Sequence, residues 1–140
     1  MEPEPDARSF LSTFSDWVES LSFGERDAAD RALGRLLDLP GELVLGSSLG
    51  LVSRLLESFH PAVPYEIAEA LVVHLIHPGP DPERAALLRD VVLAAGGQPA
   101  RLAGHETEAL AVAAIECASF LTQALADREG VVPSSVLRGL

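Results

Sequence analysis

The stretch from Glu108 to Asp127 is apolar on almost every face and long enough for about five helical turns. Its exceptions, Glu116, Ser119 and Gln123, fall at i, i+3 and i+7, and Glu108 and Asp127 continue the same line. The pattern predicts one narrow polar stripe facing solvent on a helix otherwise meant to be covered. A helix apolar nearly all round belongs in the middle of a bundle or at a subunit contact. The remainder of the chain is therefore expected to pack as helices around it.

Composition sets the class. The chain has 140 residues, enough for one domain that buries a core without staples. Its net charge is -11, with 48% hydrophobic residues and a mean hydropathy of +0.24. The acidity is spread over both halves and would repel the phosphates of nucleic acid and anionic membrane surfaces. It serves the solubility of an apolar domain and would attract a basic protein. All ten cationic side chains are Arg, with neither Lys nor Asn present. Both missing residues use AA-starting codons, which fits a GC-rich bacterial genome. The lone Cys117 excludes an internal disulfide and is expected as a buried structural thiol in mid-helix. The acidic, proline-rich Met1–Asp6 is the opposite of a secretory n-region, and Glu116 would be costly at the centre of a membrane span. A cytoplasmic protein is the expectation.

Periodicity predicts the elements. Residues 1–6 read as a disordered lead-in. A first helix, Ala7 to Leu21, carries Phe10, Leu11, Phe14, Trp17, Val18 and Leu21 on one face, with most of the aromatic mass. Ser22 and Glu25 match a capping box opening a second helix to about Leu39, with Ala29, Leu33, Leu36 and Leu37 inward and Pro40-Gly41 as its stop. A third runs from Ser48 to Phe59, with Leu45, Leu49, Val52, Leu56 and Phe59 in phase. Gly46 and Gly50 weaken it by about 1 kcal/mol each, so Glu42–Ser47 is read as helix or loop. A fourth starts at Pro64 and buries Ile67, Ala68, Leu71, Val72 and Leu75. The fifth has Asp81 as N-cap, Pro82 at N1 and Gly96-Gly97 as stop, with Leu87, Leu88, Val91, Val92 and Ala95 buried. The sixth spans about 105–129. The tail, 130–140, carries Val131, Val132, Val136 and Leu137 and is expected to dock.

The sharpest chemical motif is Gly46-Ser47-Ser48-Leu49-Gly50, preceded by the strand-like Glu42-Leu43-Val44-Leu45. This short piece resembles the G-x-S-x-G nucleophile elbow of the α/β-hydrolase family. The resemblance implies Ser48 as nucleophile, with Asp81 or Asp90 followed by His105 completing the order Ser, acid, His. It covers fewer than a dozen residues, and two amphipathic helices precede it where sheet strands should be. The alternative reading is that Gly46 and Gly50 let helix backbones approach.

His74 and His77 are spaced H-x-x-H, with His60 a further ligand candidate, but zinc needs a third and usually a fourth ligand. His77 falls on the Glu66/Glu69 side of its helix, where a solvent-facing histidine near a helix C-terminus is favoured by the dipole. Glu57-Ser58-Phe59-His60 is a single E-x-x-H, and a di-iron bundle needs two plus two more glutamates. Glu116 would act as acid or base only in an apolar cavity. No catalytic, cofactor-binding or metal residue is assigned.

The reading is an all-α, compact bundle of about six helices, 7–129, with the long helix at about 105–129 central. Catalytic constellations are lacking, and the apolar content exceeds what one small bundle hides. The expected function is a protein–protein interaction or assembly module that self-associates as a homo-oligomer or binds another protein, without enzymatic activity. The alternatives are an immunity- or antitoxin-type neutraliser of a basic protein, and a serine hydrolase using Ser48.

Overall fold

The computed structural model describes residues 6–59, Ala70 and 81–139. Among these the elements are six α-helices and one short 3-10 turn, with no strand: α1 (Ala7–Ser22), α2 (Arg26–Asp38), α3 (Gly41–Phe59), α4 (Pro82–Ala95), the 3-10 turn (Pro99–Leu102), α5 (Thr107–Glu129) and α6 (Pro133–Arg138). The helix expected from Pro64, with Ile67, Ala68, Leu71, Val72 and Leu75, lies outside the described residues.

Helix starts follow side-chain chemistry. Asp6, assigned to the lead-in on sequence, caps α1: its carboxylate accepts from the Arg8 and Ser9 amides at 3.1 and 3.0 Å. The Ser9 amide is the chief cause of a carboxyl held below its ordinary value. Asp81 caps α4 in the same way, accepting from the Glu83 and Arg84 amides, with Pro82 at the first helical position as expected.

The capping box at Ser22 and Glu25 does not form. Ser22 is the last residue of α1, and Gly24 adopts a left-handed φ of 72° that a side chain would resist. The Glu25 amide then donates to the Ser20 carbonyl and the Gly24 amide to the Leu21 carbonyl, a Schellman closure that uses up the residues of the expected box. Glu25 is left at the start of α2 with no side-chain cap. Pro40 separates α2 from α3, whose axes bend by 113°.

α5 is the centre. It packs most extensively on α3, and also on α4, α6 and α1. Its residues Leu110, Ala111, Ala113, Ala114, Ile115, Cys117, Ala118, Leu121, Leu125 and Ala126 are all buried. By length and composition α5 could also cross a membrane, but 67% of its most apolar window is buried within the bundle. The expected solvent stripe is only partly one. Ser119 is buried, because its hydroxyl accepts from Gln123 Nε2 at 2.9 Å and so needs no water. Glu116 is half-covered and pairs with Arg84 of α4. The tail docks: Pro133, Val136 and Leu137 are buried against α1 and α5, and Ser134 Oγ donates to Glu19 of α1.

Three other faces differ from their expected phase. On α1, Phe10, Phe14, Trp17 and Val18 are buried, but Leu11 and Leu21 are exposed. On α2, Ala32 joins Ala29 and Leu36 inside, and Leu37 is 52% exposed, a further step of 100° from Leu36. On α3, the buried line is Val44, Ser48, Leu51, Val52, Leu55 and Leu56, with Leu45 and Leu49 only half-buried. Val52 and Leu56 are buried as expected, but Val44 and Ser48 replace Leu45 and Leu49 in the N-terminal half, and Gly46 and Gly50 face outside.

The aromatic anchor of α1 is as expected. Phe10 stacks on Phe14 with centroids 5.7 Å apart, and Phe14 meets Trp17 edge-on at 6.0 Å. Trp17 is 9% exposed. Its native fluorescence should be blue-shifted and move to the red on unfolding. Trp17→Ala should lower stability in urea titration by about 3–5 kcal/mol. A solvent-like native emission maximum would contradict the packing.

Candidate functional site

Ser48 lies in mid-helix, not at an elbow. Glu42–Ser47 is helical and continuous with the rest of α3, so the turn from strand to helix that exposes a nucleophile is absent here. Ser48 is fully buried, and its Oγ has no hydrogen-bond partner, so no base is positioned to activate it. The other two members of the expected order do meet. His105 Nε2 lies 3.0 Å from Asp90 Oδ2 and ties the loop that leads into α5 to α4. Asp81 is occupied as a helix cap. The pair Asp90–His105 is thus an inter-element clasp, with Ser48 not hydrogen-bonded to it.

Glu116 of α5 pairs with Arg84 of α4 at the mouth of a concavity that also holds Glu106 and Glu108. Glu116 faces a guanidinium at a partly open surface, not the apolar cavity that the acid–base reading required. Next to it, Cys117 is fully buried. Burial, and then the neighbouring Glu116 charge, push its thiol far above the ordinary range. Its Sγ faces the Leu88 carbonyl at 3.9 Å. His60, His74 and His77 lie outside the described residues. Glu57 is described and exposed. Among the described residues no group of three or more His, Cys, Asp or Glu is placed to hold a metal ion.

The feature that stands out is a groove between α1, α3 and α6. Because α3 buries its Val44/Ser48/Leu51/Leu55 line against the core, the opposite side, Glu42, Gly46, Gly50, Arg54 and Glu57, faces solvent. Beside the two glycines the surface is low. A Cβ built on either would meet nothing within 4 Å. The resulting groove has a volume of about 230 Å³ and is lined by Phe10, Leu11, Gly46, Ser47, Gly50, Leu51, Arg54 and Leu137. Past Leu11 and Leu137 it continues into a second concavity of about 340 Å³ that includes Arg8, Ser12, Ser15 and Arg138. Leu11 is 39% exposed along it.

The charged lining of this double groove consists of Arg8, Arg54 and Arg138, with no carboxylate. In a chain with 21 acidic and ten basic side chains that is a marked local inversion. Three other grooves contain carboxylates: Asp16, Glu19 and Glu25 beside Arg31 and Arg35; Glu106, Glu108 and Glu116 beside Arg84; and Glu108 beside Leu37 and Leu39. Sequence reasoning expected Gly46 and Gly50 to let helix backbones approach, but among the described residues nothing lies within 4 Å of a Cβ built on either, and it missed Leu11, Leu137 and the arginines. They lie on three helices, and no single-helix period brings them together. No protein-family model, curated protein or solved structure matches the chain.

Two measurements check this geometry. Ser48→Ala removes a buried hydroxyl that has no partner, so it should leave stability unchanged or raise it by up to about 1 kcal/mol in urea titration. A loss of similar size would mean the hydroxyl is engaged. Cys117 should resist alkylation by iodoacetamide in the native protein and react fully in denaturant. Rapid native modification would contradict its burial.

Proposed function

We propose that this chain is a small protein–protein interaction or assembly module that works without chemistry of its own. The observation that carries the reading is the α1/α3/α6 groove: walls of Phe10, Leu11, Leu51 and Leu137, an open side, and arginines at its edges. Small-molecule sites combine enclosure with converging polar groups. The polar side chains of the principal groove are Ser47 and Arg54 alone, and neither Arg84–Glu116 nor His105–Asp90 lines it. An open apolar furrow along a helix suits a helix or loop of another protein, as in helix-in-groove recognition.

Further apolar side chains left in solvent support the same reading. Phe23 is 59% exposed in the α1–α2 turn, and Val131 and Val132 are exposed in the α5–α6 turn. Exposed apolar surface of this kind marks association sites when it is contiguous. The proposed setting is the cytoplasm. Nucleic acid and anionic membrane are not proposed partners, because the net charge of -11 opposes both.

The test is association and its dependence on the groove. At about 100 μM, far above the range of specific affinities, the chain should sediment as a dimer or larger species, or affinity capture should recover a stoichiometric protein partner. Leu11→Asp should abolish either one with the helical circular dichroism unchanged. A chain that stays monomeric, and whose capture profile Leu11→Asp leaves unaltered, overturns the reading.

A further inference from the structure

The groove has a particular charge order, and it is self-complementary. Along the exposed side of α3, Glu42, Gly46, Gly50 and Arg54 recur at intervals of four. They form one i, i+4 ridge, interrupted at its middle by two missing side chains. An acid sits one turn before the first glycine and a base one turn after the second. Among the described residues neither the Glu42 nor the Arg54 side chain has a hydrogen bond or ion pair. A twofold axis at the level of Ser48 would run a second α3 antiparallel to the first. It would set Gly46 against Gly50 of its partner, and Glu42 against Arg54 of its partner, twice.

The occupant that the groove requires matches the same helix. Its charged lining is Arg8, Arg54 and Arg138, so the incoming segment should be acidic at its ends. It can come close to α3 beside the glycines, where no side chain stands and the space is open. It should carry some apolar surface for Leu11 and Leu137 to cover. α3 itself presents Glu42 at one end of its exposed side and Arg54 with Glu57 at the other, glycines between them, and the half-buried Leu45 and Leu49 alongside. Helices whose contact positions are glycine can approach more closely than side chains otherwise allow.

We infer that the α1/α3/α6 groove is a homodimer face in which two copies of α3 pack antiparallel through Gly46 and Gly50. Glu42 of each protomer pairs with Arg54 of the other. The contact is isologous, so it closes at two copies and leaves no free face for growth. This inference rests on the interaction-module reading and narrows it to one partner.

The experiment is a charge exchange read by sedimentation equilibrium. Wild-type protein should dimerise in the micromolar range. Glu42→Arg and Arg54→Glu each set like charges together at both symmetry-related positions, and each should weaken the dimer by about tenfold or more. The double variant, Glu42→Arg with Arg54→Glu, recreates both pairs with the signs exchanged and should return the dissociation constant to within about threefold of wild type. Gly50→Leu fills the contact while adding a better helix former at an exposed position, so it should keep or raise the thermal midpoint at dilutions where wild type is monomeric, and yet stay monomeric where wild type dimerises. Stability and association then separate in one molecule. A wild-type monomer overturns this inference, as does a dimer indifferent to both single charge variants or one that the double variant does not restore. Capture of a different protein by a monomeric chain, lost in Leu11→Asp, also overturns the second-copy assignment and leaves the broader reading standing.

Discussion

One helix needs cover on nearly all of its circumference, and the other elements are placed to supply it. α5 offers twelve buried positions, and no single neighbour can reach them all. α3 lies along it most extensively, α4 covers the side of Cys117 and Glu116, and α6 folds back over its C-terminal end. Such burial is feasible only if every polar group on α5 is answered inside the bundle. Thr122 Oγ1 bonds the Ala118 carbonyl at 2.7 Å, Ser119 accepts from Gln123, and Glu116 takes Arg84. Each polar exception that interrupts the apolar run thus has a local or inter-helical partner. The burial of Cys117, with its thiol pushed far upward, results from the same covering.

Where helices begin and end was legible whenever one residue carried the signal. Asp81-Pro82 specifies a start by a carboxylate and a fixed φ, and that start is observed. Ser22 and Glu25 carried an equally good start signal, and it lost to Gly24. A left-handed glycine two residues on closes the preceding helix through two backbone hydrogen bonds, leaving Ser22 inside α1. Two local rules competed for the same four residues, and the backbone closure won. The phase of α3 was less legible. Its apolar residues occupy more than half of the helix circumference, so periodicity alone admits two adjacent faces. Contact with α5 selected the Val44/Ser48/Leu51/Leu55 line.

That selection also decides what the Gly-Ser-Ser-Leu-Gly segment is. With Ser48 turned inward and unpartnered, the motif loses its chemical meaning; with the glycines turned outward, it becomes a surface feature. The glycines read as sites of close approach, but they face outward and no described residue of the chain approaches them. The arginine lining was not legible at all, because Arg8, Arg54 and Arg138 are scattered along the sequence and line neighbouring concavities only through the packing of α1, α3 and α6. Asp90 and His105 are the converse. Chain order proposed them as partners for the wrong reason, and the fold pairs them as a clasp between α4 and the loop that leads into α5.

The overall charge bears on self-association in a way that its sign alone obscures. Two copies at -11 each repel at long range, and that repulsion fades beyond roughly 8 Å in physiological salt. An encounter therefore persists only where short-range contacts exceed what screening leaves. On most of the surface, acid would meet acid, which opposes misregistered or promiscuous contacts. A face whose charges alternate along one helix escapes that penalty in one relative orientation alone. Sliding the second α3 by a turn sets a glycine against Glu42 or Arg54 and breaks both ion pairs together. Acidity that makes an apolar domain soluble thereby also serves to select among its contacts. Under the proposed pairing, the arginines of the groove are the local exception that allows a negatively charged chain to recognise itself.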